Sequence, residues 1–258
     1  MIDVTTEELL TLLLSIWLPL LRITGVMFMA PLLGDGSVPV QIRVLLSVLL
    51  TVLIAPLVTV PTHIDPFSLE MLRVSLVELI WGMSYGLLFQ IFFAVFSMVG
   101  QAISLQMGLG MAVMNDPANG VNVAILGRLF HIACMLLFLA MDGHIAVVML
   151  LRESFDVWPI GEGIGEGGFK VILELSAWMF VSAMTIVLPA VTIMLVSNIT
   201  FGFMSRVAPS FNIFALGFPM TMLLGLFAFF ISISNAGSYY NELLFTLLAQ
   251  VRLFIQGG

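Results

Sequence analysis

A guanidinium, a carboxylate and two imidazoles stand inside apolar runs: Arg22 in WLPLLRITG, Glu78 in LVELIWG, His131 in RLFHIAC and His144 in MDGHIAV. At bilayer depth a guanidinium costs at least about 2.5–3.5 kcal/mol on insertion scales. Arg22 therefore needs a partner, either a carboxylate or backbone carbonyls left free by a proline. Glu78 is the obvious carboxylate for that pairing. Contact with a transported species is the rival role for Arg22, and a proton relay the rival for Glu78. Relays string several acids together, and Glu78 has no such company in its span. Arg206, in GFMSRVAPS, joins these two as a structural intramembrane charge.

Metal and enzyme chemistry find less support. Asp142 and His144 are two residues apart, so on a helix they face different directions, and MDGH reads better as the end of a span. The single cysteine, Cys134, lies in an apolar run, which leaves neither a disulfide framework nor a cysteine metal site. No nucleophile stands with a base at a usable spacing. The glycine-rich GEGIGEGG at 161–168 holds Glu162 and Glu166, follows no strand and lacks the Lys-Ser/Thr of a phosphate loop. It reads as a flexible linker. No enzyme, no metal and no cofactor are expected.

The elements that must hold these side chains follow from composition. Of 258 residues 61% are hydrophobic and 9% charged, against roughly 25% charged in soluble domains. Too few charges exist to solvate an exterior, so most of it must face lipid or other apolar protein. The net charge of −7 argues against nucleic acid. Lys170 is the one lysine, and no polybasic cluster addresses anionic headgroups.

Six stretches suffice to span a bilayer, near 8–30, 40–60, 72–106, 124–151, 171–200 and 211–234. The first is expected to be retained, since its leading region is acidic and Arg22 interrupts what would be a signal core. A shorter stretch, 240–256, carries Glu242 and Arg252 and suits an interfacial or packing helix. Ser68 is a plausible N-cap for the third span. Pro19, Pro56, Pro189 and Pro219 are expected to kink their spans and free carbonyls there. Basic residues divide nearly evenly between alternate connectors, so the positive-inside rule sets no orientation. The fold class is all-α: an integral membrane protein of about six long, proline-kinked helices plus a C-terminal helix.

The third span is longer than hydrocarbon requires, so it must tilt, bend or run into a protein assembly. Gln90, Ser97, Gln101 and Ser104 share one of its faces at steps of 7, 4 and 3. That stripe is either interhelical hydrogen-bond glue or a wall on a watery lumen. It leads into QMGLGMAVMNDPANG. There Met107, Met111 and Met114 are pliable apolar side chains, Gly108 and Gly110 free the backbone, and Asn115-Asp116-Pro117 makes a turn. Such a flap can close a pore by excluding water. A plain re-entrant connector buried in protein fits the same residues.

The whole chain resembles the FliR/SctT family of type III export-apparatus membrane proteins. The resemblance rests on Trp17, Pro19, Arg22 and Gly25, on APLLGDGSVP followed by Arg43, and on QMGLGMAVMNDPANG. MDGHIAVVMLLRESFDVWPIG and GFMSRVAPSFNIFALGFPM extend it, and the GH…SF…P stretch favours the flagellar branch. It implies one membrane-embedded export-gate domain over 1–258, with bent hairpins packed in a hetero-oligomeric helical assembly with FliP-like and FliQ-like subunits. FlhB-like and FlhA-like proteins would complete the machine, which passes unfolded flagellar proteins across the bacterial inner membrane at the flagellar basal body. Residues 106–122 would be the pore plug, from Gln106, Met107 and Gly108 onward. The family's bulky apolar plug positions are filled by Leu109, Met111 and Met114, and Asp116-Pro117 matches its Asp-Pro step. Leu109 stands between the two glycines where the family often has an aromatic residue. A secondary transporter or channel for a small solute is the alternative, but it usually shows internal repeats, and no convincing repeat is present.

Overall fold

The computed structural model describes residues 6–31, 38–61, 64–65, 68–108, 125–163, 165–207, 213–234 and 236–256. The described elements are α1 (Thr6–Met29), α2 (Val40–Ile54) with a short 3-10 helix (Ala55–Leu57), α3 (Leu69–Gln106) and α4 (Ile125–Ala140). They continue with α5 (Gly143–Val157), α6 (Glu166–Val207), α7 (Ile213–Ser234) and α8 (Ala236–Ile255). Among the described residues there is no strand.

Windows in α1, α2 with its 3-10 helix, α3 and α6 are each long and apolar enough to cross a membrane, and α4 with α5 passes the same test as a bent pair. The expected sixth span is α7, whose described apolar run is Pro219–Ile233. α2 is built inside out. Arg43, Ser47, Thr51 and Ile54 are its buried residues, while Leu45, Leu49, Val52 and Leu53 are exposed. The buried hydroxyls satisfy themselves on carbonyls one turn back, Ser47 on Arg43 at 2.8 Å and Thr51 on Ser47 at 2.6 Å. Facing lipid, a helix can expose its apolar side chains provided its polar groups are satisfied inside the protein.

The prolines behave differently from one another. Pro19, Pro189 and Pro219 lie inside helices that run on through them. Pro56 sits in the 3-10 helix that ends α2, so the second span is terminated there, not kinked. The one bent pair among the described residues is made without proline. α4 and α5 meet at 70°, where Asp142 adopts a left-handed φ of 57° and its carbonyl accepts the first turn of α5 from Ile145 at 2.9 Å. The expected single span over 124–151 is therefore two helices. Ser68 is a true N-cap, its Oγ accepting the Met71 N–H at 3.2 Å.

Two compact units make up the chain, both discontinuous in sequence: residues 1–91, 139–176 and 246–258 form one, and residues 92–138 and 177–245 the other. The first is centred on aromatic rings. Trp81 stacks on Tyr85 at 5.9 Å, meets Phe254 at 5.4 Å, and Tyr85 meets Phe89 at 5.3 Å. Tyr85 Oη donates to the Val147 carbonyl at 2.9 Å, giving its buried hydroxyl a partner. In the second unit Phe92 packs edge-on against Phe96 and Tyr240, Phe93 against Phe138, and Phe130 against Phe229. α8, expected as an interfacial or packing helix, buries Tyr240, Leu243, Leu244, Leu247, Val251 and Phe254.

Candidate functional site

α1 and α3 touch backbone to backbone, and glycine is what permits it. A Cβ on Gly82 would lie 2.0 Å from the Arg22 carbonyl oxygen, one on Gly25 2.6 Å from the Leu79 oxygen, and one on Gly86 2.9 Å from the Val26 oxygen. Small residues at such crossings are the usual means of close approach in lipid, where dispersion and hydrogen bonds replace the hydrophobic effect. The approach delivers Arg22 of α1 to Glu78 of α3, which stands one helical turn before Gly82.

The pairing is a bidentate fork, with Arg22 Nε donating to Glu78 Oε2 at 2.6 Å and Nη2 to Oε1 at 3.1 Å. Both side chains are fully buried. Nη1 donates to the Ser154 carbonyl at 3.2 Å, and both terminal nitrogens reach the Trp158 carbonyl at 3.2 Å. Ser154 and Trp158 lie in the last turn and at the C-cap of α5, so Arg22 serves the Trp158 carbonyl at the helix end, shares the Ser154 carbonyl with the Trp158 N–H, and meets the negative end of the dipole. The guanidinium lies 4.6 Å from the Trp81 ring centre and 4.3 Å from that of Phe155. Glu78 Oε1 also accepts the Gly161 N–H at 3.0 Å. Trp158 Nε1, in turn, donates to the Ile255 carbonyl at the end of α8.

This cluster joins α1, α3, the end of α5 and the start of the glycine-rich connector. The guanidinium's five N–H groups all find acceptors among Glu78, Ser154 and Trp158, so none is left with which to bind a passing group. The connector is not wholly the loose linker expected. Gly161 is held by its N–H and adopts φ 97°, a left-handed value that costs an L side chain strain. Gly161→Ala is expected to destabilise by about 1–2 kcal/mol. That lowers the thermal midpoint of the detergent-purified protein by about 2–8 °C. An unchanged midpoint would show that the connector carries no load there.

The other predicted residues are dispersed. Gln90 and Gln101 are exposed, Ser97 is half-buried and Ser104 buried. Ser97 Oγ lies 3.1 Å from His131 Nδ1 on α4, beside a crossing where a Cβ on Gly100 would come 2.5 Å from the Leu126 oxygen. Arg206 is exposed in the last turn of α6, at the end where a cation suits the helix dipole. Asp142 and His144 are exposed at the α4–α5 break. Among the described residues no three His, Cys, Asp or Glu gather as a metal-binding group.

Of the plug, Gln106 ends α3 and is half-buried, Met107 is buried, and Gly108 turns left-handed at φ 76°. Leu109, Gly110, Met111, Met114, Asn115, Asp116 and Pro117 lie outside the described residues. The sequence reading missed the glycine crossing, although GMSYG at 82–86 displays a small-xxx-small signal. It also missed Ser154, Trp158 and Gly161, which serve the pair chiefly through backbone atoms.

The profile of the family described as bacterial export proteins, family 1, matches residues 13–247. The flagellar biosynthetic protein FliR of Escherichia coli (strain K12) is 33% identical over 228 residues, 88% of this chain and 87% of the relative. FliR of Pectobacterium carotovorum subsp. carotovorum is 33% identical over 210 residues, 81% and 80% of the two chains. The surface presentation of antigens protein SpaR of Shigella sonnei is 25% identical over 229 residues, 88% and 87%. An all-helical apolar scaffold matched along nearly its full length leaves one assignment: the chain belongs to the bacterial export proteins, family 1, the FliR/SctT family.

Proposed function

We propose that this chain is a non-enzymatic subunit of the flagellar type III protein export gate in the bacterial inner membrane. With FliP-like and FliQ-like subunits it forms the entrance pore for unfolded flagellar proteins, next to FlhB-like and FlhA-like components at the flagellar basal body. Residues 106–122 act as its apolar plug. Membership of the export family supports the setting, and one observation carries the assembly. α6 has 42 residues and is about 63 Å long, twice the ~30 Å of hydrocarbon in a bilayer. Its apolar side chains are nevertheless exposed from Phe169 and Leu173 through Val196 to Phe203 and Val207. Lipid alone covers that length only if the helix lies strongly tilted, whereas neighbouring apolar helices cover it directly.

Deletion of residues 108–120 tests the plug. The expected result is a complex that assembles with FliP-like and FliQ-like subunits, at wild-type yield, and conducts ions in a planar bilayer while the intact complex stays closed. Unchanged conductance with normal secretion refutes the plug, and a chain that purifies fully folded by itself refutes the assembly in favour of a self-sufficient transporter.

A further inference from the structure

At Gly25 and Gly82, where α1 crosses α3, the atoms nearest an added Cβ are backbone, but at Gly225 of α7 they all belong to one side chain. A Cβ there would lie 2.1 Å from Met107 Cγ, 2.6 Å from Sδ and 3.1 Å from Cε. Gly225 is buried and Met107 is 1% exposed. Met107 is the first residue past α3. Its N–H reaches the Ile103 carbonyl at 3.0 Å, and the Gly108 N–H reaches Leu105 at 3.1 Å as the chain turns out at φ 76°. The helix thus ends in a left-handed glycine turn, the usual exit of an α-helix. The residue just before that turn is seated in a notch of α7.

We propose that Met107 and Gly225 form a knob-and-notch pair that positions the end of α3, and with it the point and direction at which the chain departs at Gly108. This rests on the reading that residues 106–122 seal the pore, since the pair then sets where the seal begins. The notch requires glycine. Any Cβ would strike Met107 Cγ, one bond from Met107 Cβ, so rotation about the outer bonds of the side chain gives no relief and the whole side chain must leave. The steric fit also dictates its own repair: an alanine at 107 has no Cγ, so it vacates the space that an alanine at 225 would fill.

Three variants in the assembled complex test this by planar-bilayer conductance and complex yield, with the 108–120 deletion alongside. G225A is expected to raise basal conductance about tenfold or more, as an overpacked contact is forced from its seat, at a yield close to wild type. M107A empties the notch and is expected to leak less than G225A. The double variant M107A/G225A is expected to leak no more than M107A alone, a non-additivity that a general loss of stability does not produce. If G225A fails to assemble, the double variant decides: recovery of complex yield by M107A/G225A supports the pair, and a yield as low as that of G225A overturns it. Leakage by the deletion with a tight G225A overturns the positioning role alone. A tight deletion variant overturns both this proposal and the plug.

Discussion

Glu78→Gln is expected to remove most of the folded protein from the membrane. The change is nearly isosteric, so packing is not what fails. It leaves a fully buried guanidinium facing an amide whose nitrogen is itself a donor. Breaking a buried pair by neutralising one partner costs about 3–5 kcal/mol, a large part of the ~5–15 kcal/mol that holds a typical domain together. An apolar swap of both partners is often neutral elsewhere, because the desolvation penalty of two ions vanishes with them. Here it is expected to recover only part of the loss. Removing Arg22 and Glu78 also strips the Trp158 carbonyl and the Gly161 N–H of these partners, while the Ser154 carbonyl keeps the Trp158 N–H. Each orphaned backbone group costs about 1–3 kcal/mol. Membrane abundance and thermal midpoint in detergent should therefore rank wild type above Arg22→Met/Glu78→Leu, and that double variant above E78Q. Wild-type abundance for E78Q would mean that the ion pair does not hold this unit together.

Gly82→Ala should be almost as damaging, against the usual sign. Alanine within a helix ordinarily gains roughly 0.5–1 kcal/mol over glycine. At Gly82 the added carbon would lie 2.0 Å from the Arg22 carbonyl oxygen and 2.9 Å from its carbon, and backbone atoms cannot rotate away. α1 and α3 must separate. Overpacking of this kind costs about 1–3 kcal/mol and sometimes more, so the clash outweighs the propensity. Separation also lengthens the 2.6 Å contact from Arg22 to Glu78, which couples the two lesions. Gly202 in α6 is the control, because a Cβ there meets nothing within 4 Å and Gly202→Ala should be neutral or slightly stabilising. Thermal midpoints in detergent separate the cases, and a G82A protein as stable as G202A would dismiss the close crossing.

Much of this architecture was open to reading before any coordinates. Scarcity of charge assigns the chain to a membrane, because the cost of exposing polar groups to lipid is large and accumulates residue by residue. Local rules are similarly direct. Ser68 caps α3 because a hydroxyl there reaches an N–H three residues on, and the 240–256 stretch packs because its apolar positions recur on one face. The Arg22–Glu78 pairing was foreseeable for a related reason: two intramembrane charges of opposite sign have few other ways to be satisfied.

The tertiary structure alone decided the rest. Proline at 56 lies in the 3-10 helix that ends α2, while proline at 19, 189 and 219 lies inside helices that continue, a difference that residue type does not carry. The bend at Asp142 is made by one left-handed residue, which side-chain periodicity does not register. Gly161 passed for slack in a linker, since an N–H has no residue identity and its acceptor stands 83 positions away. Hydropathy and charge belong to residues one at a time. The end of α5 on Arg22, the backbone contact at Gly82 and the seat of Met107 at Gly225 belong to pairs of distant atoms, which only folding brings within reach.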